Sequence, residues 1–127
     1  MNTTHLTQEN INTAALQIFE SISNQWGLSD CEKCSLLGFP SENISAEYPE
    51  NDITGLFDED VLQRISQLLG INKALHQLLP TANAANQWVH QPNSAPLFIG
   101  NTALSQLLNG NLSDFSSIRH YLDAQCQ

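Results

Sequence analysis

A chain of 127 residues, 41% apolar and only 13% charged, can bury one core, or two thin ones that share an interface, without a metal or disulfide scaffold and is too apolar to be a disordered tail. Three cysteines, Cys31, Cys34 and Cys126, are too few and too odd a set for a secreted disulfide framework, and no stretch approaches the roughly 20 uninterrupted apolar residues of a membrane span. The net charge of −9 is unevenly placed: residues 1–60 hold eleven of the thirteen acids against Lys33 alone, while residues 61–127 hold Arg64, Lys73 and Arg119 against Asp114 and Asp123.

The N-terminus MNTTHLTQEN has neither the basic start nor the apolar core of a signal peptide, so a cytoplasmic protein with reduced thiols and no membrane partner is expected. From Thr7 to Trp26 the residues Ile11, Ala14, Ala15, Ile18, Phe19, Ile22 and Trp26 recur at steps of three and four, which predicts an amphipathic helix with these side chains inward. Gly27 breaks it. Ser29 and Glu32 form a capping box for a short second helix that ends at Gly38, ahead of Pro40. The stretch from Ser41 to Phe57, interrupted by Pro49 and Gly55, reads as a third short helix and a loop.

Asp58, Glu59 and Asp60 suit the positive end of a helix dipole, and Val61, Leu62, Ile65, Leu68, Leu69, Leu75, Leu78 and Leu79 continue a helical period, predicting a long central helix from Asp58 to Leu79. Gly70 inside it weakens the helix locally or permits close packing. Pro80 stops it, and Thr81 caps a helix reaching about His90, anchored by Trp88 and Val89. After the loop QPNSAPLFIG, Asn101 or Thr102 caps a helix carrying Ala103, Leu104, Leu107 and Leu108. Gly110 closes that helix, and Ser113 starts the last one, with Phe115, Ile118, Tyr121 and Leu122 inward. Nothing reads as a strand, so an all-α protein is expected.

No residue set announces catalysis. Cys31 and Cys34 have the spacing of a zinc half-site or redox pair, but no second pair completes four ligands, and two thiols one helical turn apart read more simply as small packing groups. The histidines His5, His76, His90 and His120 are scattered, and phosphate-binding glycine motifs and nucleophile elbows are absent. Neither a catalytic centre nor a cofactor or metal site is therefore expected. The N-terminal half suggests a helix-turn-helix, yet its candidate recognition segment, Ser41 to Asn51, carries Glu42, Glu47 and Glu50 and no basic residue, so charge argues against DNA.

The run from Val61 to His76, then Trp88-Val-His-Gln-Pro-Asn93, Pro96-Leu-Phe-Ile-Gly100, Ala103-Leu104, Gly110 and Ile118-Arg-His-Tyr-Leu-Asp123, resembles the Xre/MbcA/ParS antitoxin family across nearly all of residues 58–124. Ala14 to Phe19, Trp26 to Ser29 and Leu36 to Gly38 are similar to that family's Xre-like helix-turn-helix half. The resemblance divides the chain into residues 1–57, a helix-turn-helix half, and residues 58–127, a toxin-binding domain. It implies an antitoxin of a type II toxin-antitoxin system that binds a RES-domain, NAD-degrading toxin and blocks its active site, and that dimerises. Operator binding, which the family's other half performs, is the feature put in doubt by the acidic recognition segment.

Read from the residues alone, Trp88, Leu97, Phe98, Leu104, Leu107 and Leu108 would form core. Partner contacts are expected on an exposed face at Asn93, Phe98 and Ile99 and along the terminal stretch Arg119, His120, Asp123, Gln125 and Gln127. Arg119 either pairs with Asp123 on the surface, meets an acidic group of the partner, or serves as a plug near the NAD-phosphate site of a toxin. Two other functions fit the same residues: a DNA-binding autorepressor, and an orphan helical adaptor.

Overall fold

The computed structural model describes residues 8–39, 57–109 and 111–126. The third short helix expected between Ser41 and Phe57, the stop at Gly110 and the contact residue Gln127 lie outside them, apart from Phe57 itself. The protein is all-α: α1 (Gln8–Trp26), α2 (Asp30–Leu37), α3 (Glu59–Leu78), α4 (Ala82–Trp88), α5 (Ala103–Leu108) and α6 (Leu112–Gln125) are its described helices. Among the described residues there is no strand beyond an isolated bridge between Pro92 and Thr102, and no helix is long and apolar enough to cross a membrane.

The early helix ends obey local chemistry. Trp26 is followed by Gly27 at φ 68°, with Leu28 N–H donating to Ser23 O (3.0 Å) and Gly27 N–H to Asn24 O (3.2 Å). The same six-to-one and five-to-two pair recurs at Gly38, φ 84°, where Phe39 N–H reaches Cys34 O (2.9 Å) and Gly38 N–H reaches Ser35 O (3.0 Å). Both are Schellman turns, which satisfy carbonyls a helix end would leave orphaned and which favour glycine at the left-handed position. Between them the capping box forms: Glu32 N–H donates to Ser29 Oγ (3.1 Å) and Ser29 N–H to Glu32 Oε1 (2.9 Å).

Asp58 caps α3 through Val61 N–H (3.0 Å), Thr81 caps α4 through Ala84 N–H (3.1 Å), and Thr102 caps α5 through Ser105 N–H (3.1 Å). The last helix starts earlier than Ser113: its N-cap is Asn111, whose side chain makes no capping bond.

One core joins the two expected halves. Phe19, Ile22 and Trp26 of α1 and Leu36 and Leu37 of α2 pack in the same cluster as Ile65, Leu68, Ile71 and Leu75 of α3 and Phe115, Ile118 and Leu122 of α6. Across the boundary, Trp26 Nε1–H donates to Asn72 Oδ1 (3.3 Å) and its carbonyl lies 2.6 Å from His90 Nε2. The inward face of α1 is rotated from expectation: Asn12 and Ser23 are buried, while Ile11 and Ile18 are 44% and 37% exposed. The large side chains Phe19 and Trp26 set the orientation, and Ile11 and Ile18, each one residue ahead of a buried position, fall about 100° off that stripe.

Two of the four basic side chains lie in the interior. Lys33 is buried with Glu20 at 3.2 Å and Asp30 at 3.8 Å. Arg64 is buried with Asp60 Oδ2 at 2.7 Å from its Nε, Leu36 O at 3.4 Å from Nη1, and the Phe115 ring 5.5 Å below its guanidinium.

Candidate partner-binding site

The loop after α4 is closed by its own backbone. Asn93 N–H donates to Asn101 O (3.1 Å), Gly100 N–H to Asn93 O (2.8 Å), and Asn101 N–H to Phe98 O (2.8 Å). Ala95 N–H donates to Asn93 Oδ1 (2.9 Å), and Gln106 Nε2–H ties the Leu97 carbonyl to α5 (2.7 Å). The Phe98-to-Asn101 bond encloses Ile99 at φ 53° and Gly100 at φ 82°. Positive φ at both central residues is the signature of a type I′ turn, whose first central position favours Asn, Asp or Gly. A β-branched residue there costs about 1–2 kcal/mol, because its Cβ crowds the following carbonyl.

Two neighbours in this loop face opposite ways. Phe98 is 0% exposed and sits edge-on between Trp88 (ring centroids 5.6 Å, planes at 82°) and Tyr121 (5.4 Å, 88°). Ile99 is 81% exposed. The buried phenylalanine clamps the loop to α6, and the strained turn aims the isoleucine at solvent.

On the other flank of α6, Ser116, Arg119, His120 and Asp123 line a shallow groove of about 290 Å³ with Gln67 of α3. Arg119 Nε lies 3.6 Å from Asp123 Oδ2, and its Nη1–H donates to Gln67 Oε1 at 3.4 Å, both at the long end for such contacts. Arg119 and Tyr121 are two residues apart and thus about 200° around the helix, so a partner reaching both the groove and the loop must straddle the outer ridge of α6, where His120 is exposed. A larger recess of about 670 Å³, walled by Phe57, Asp58, Glu59, Leu62, Gln63 and Ser66, contains none of the expected contact residues.

Over 112 residues the chain is 34% identical to the uncharacterized protein y4oB of Sinorhizobium fredii, a match covering 88% of this chain and 84% of that one. The chain belongs to the family of y4oB. No family model matches it, and no solved structure matches it.

Within this y4oB-family chain the residues expected to contact a partner divide. Ile99, His120, Asp123 and Gln125 are exposed, and Arg119 is partly so. Phe98 is corrected: it is wholly interior, because an aromatic ring between Trp88 and Tyr121 gains more from burial than from a place at the surface. Asn93 is half-buried and spends its side-chain oxygen and both backbone groups on closing the loop.

Sequence reading missed Gln67 and Ser116 of the groove, whose polar side chains carry no periodic signal. The position of Arg64 inside the core was foreshadowed by its register, three residues after Val61 and four before Leu68. Of the CxxC pair, Cys34 is fully buried and Cys31 exposed. Burial, with Cys31 and Asp30 close by, pushes the Cys34 thiol up from its ordinary value, so at neutral pH it is a protonated packing group. Among the described residues, no group of three or more His, Cys, Asp or Glu could hold a metal ion.

Proposed function

We propose that this protein is a binding module that docks on a partner protein through the Ile99 turn and the adjoining faces of α6, and that the partner is a RES-domain toxin whose active site it occludes. The observation that carries the reading is Ile99: an exposed β-branched residue held at positive φ on a loop bonded shut around it. Strain of this kind persists only where surrounding structure imposes it, and an apolar side chain presented on a rigid turn resembles an interface anchor in needing a dry pocket. The toxin's identity rests on the resemblance of residues 58–124 to the Xre/MbcA/ParS antitoxins.

Charge weighs against operator DNA as the principal ligand. With Lys33 and Arg64 themselves buried and each paired with a carboxylate, Lys73 and Arg119 are the lysine and arginine side chains left towards the surface of a chain of net charge −9. Phosphate neutralisation requires several such groups on one face.

Ile99→Asn separates docking from folding. Asparagine suits the first central position of the turn, so the variant should be more stable by about 1 kcal/mol, a rise of a few degrees in melting temperature. Loss of the anchor should weaken the complex with a co-expressed RES-domain toxin from the adjacent gene by about 2 kcal/mol, roughly thirtyfold, and restore NAD consumption at limiting antitoxin concentration. Full binding by the more stable variant would remove Ile99 from the interface; no complex with wild type would remove the antitoxin reading.

A further inference from the structure

Gly70 lies mid-way along α3, where glycine weakens a helix, and its φ is not positive, so backbone conformation does not require it. What occupies the space of its missing side chain is Arg119. A Cβ at Gly70 would stand 2.8 Å from Arg119 Cδ and nearer still to Nε and Cζ, separations that real Cβ atoms do not show. The stem of Arg119 therefore lies flat across α3 and delivers the guanidinium into the groove beside Gln67, Ser116, His120 and Asp123.

Once there, the guanidinium is loosely held. Its five N–H donors are met by Gln67 at 3.4 Å and Asp123 at 3.6 Å, and the Asp123 carboxylate is itself 55% exposed. Such a fork accepts a carboxylate in bidentate geometry with shorter bonds than it now makes. A phosphate dianion suits the place less well, because Asp123 stands beside it on a chain of net charge −9. A single carboxylate would take the position Asp123 now holds.

We infer that Gly70 is a positioning residue: it seats Arg119 so that the guanidinium can exchange Asp123 for an acidic side chain of the binding partner. This rests on the binding-module reading and adds the chemistry of one partner group. An alanine at position 70 would leave the helix intact and displace the flexible arginine into solvent, since the clash falls on a side chain rather than on backbone.

Labelling by an arginine-selective dicarbonyl, followed by peptide mass mapping, tests the seat on the protein alone, because Arg64 and Arg119 are the only arginines and Arg64 is buried. Arg119 should label in the wild type and several-fold faster in Gly70→Ala, with helical circular dichroism unchanged; equal rates would overturn the seat. In the complex with the co-expressed adjacent-gene toxin, Arg119 should be protected. Gly70→Ala and Arg119→Ala should each weaken binding about tenfold, and the double variant no more than Arg119→Ala alone, the non-additivity of residues acting through one contact. An intact complex in which Arg119 labels as fast as in the free chain would overturn the carboxylate contact and leave the module reading standing. Absence of any complex with wild type would overturn the module reading and the proposed exchange with it.

Discussion

Replacing Phe98 by alanine is expected to cost about 3–5 kcal/mol of folding stability, the range for removing a fully buried aromatic ring and leaving its cavity. The ring is 0% exposed and makes edge-to-face contacts with both Trp88 and Tyr121, so the loss removes the joint between α4, the loop and α6. A domain of this size has about 5–15 kcal/mol to lose, so denaturant unfolding should show a midpoint shifted by a large fraction of its value. Phe98→Leu should recover more than half of the loss, because it refills most of the volume. A cost below about 1 kcal/mol would place Phe98 at the surface, in the role its neighbour Ile99 holds.

Arg64→Ala should be the second large effect, about 2–4 kcal/mol, and the Asp60 ion pair should account for little of it. Asp60 is 51% exposed in its side chain, and a pair with a wet partner contributes about 0–1 kcal/mol after solvent screening. The remainder comes from the buried stem, the hydrogen bond to the Leu36 carbonyl at the end of α2 and the guanidinium over Phe115, which together fasten α2, α3 and α6. Asp60→Ala should therefore be mild, and Arg64→Met should fall between, retaining packing without the polar contacts. Equal costs for Asp60→Ala and Arg64→Ala would assign the effect to the ion pair instead.

The helices were legible in the sequence because their ends are written in local chemistry. The Ser29 and Glu32 box, Asp58 and Thr81 each name a helix start, Asn101 and Thr102 narrow a fourth to two neighbours of which Thr102 is the cap, and Gly27 and Gly38 name two ends, with no reference to the rest of the chain. The start of α6 was less legible, since Asn111 caps it without a side-chain bond and Ser113, an equally good capping residue, lies within it.

The site was half-legible. Arg119, His120 and Asp123 share one helix face by spacing alone, and the groove with α3 brings in Gln67. The loop was opaque, because Leu97, Phe98 and Ile99 form an apolar run without a period. Which one points outward depends on a turn at positive φ that the residue Ile does not announce. Arg64 lies on the buried stripe by its register, between Val61 and Leu68, although charged side chains are rarely interior.

The proposed docking surface of the Ile99 turn and α6 is tested most directly by hydrogen exchange on any complex formed with the co-expressed product of the neighbouring gene, compared with the free chain. Slowed exchange should concentrate at residues 95–101 and 116–126, with α1 and α2 little changed. Protection confined to α1 and α2, or none at the Ile99 turn, would contradict the account and move the interface to the N-terminal half.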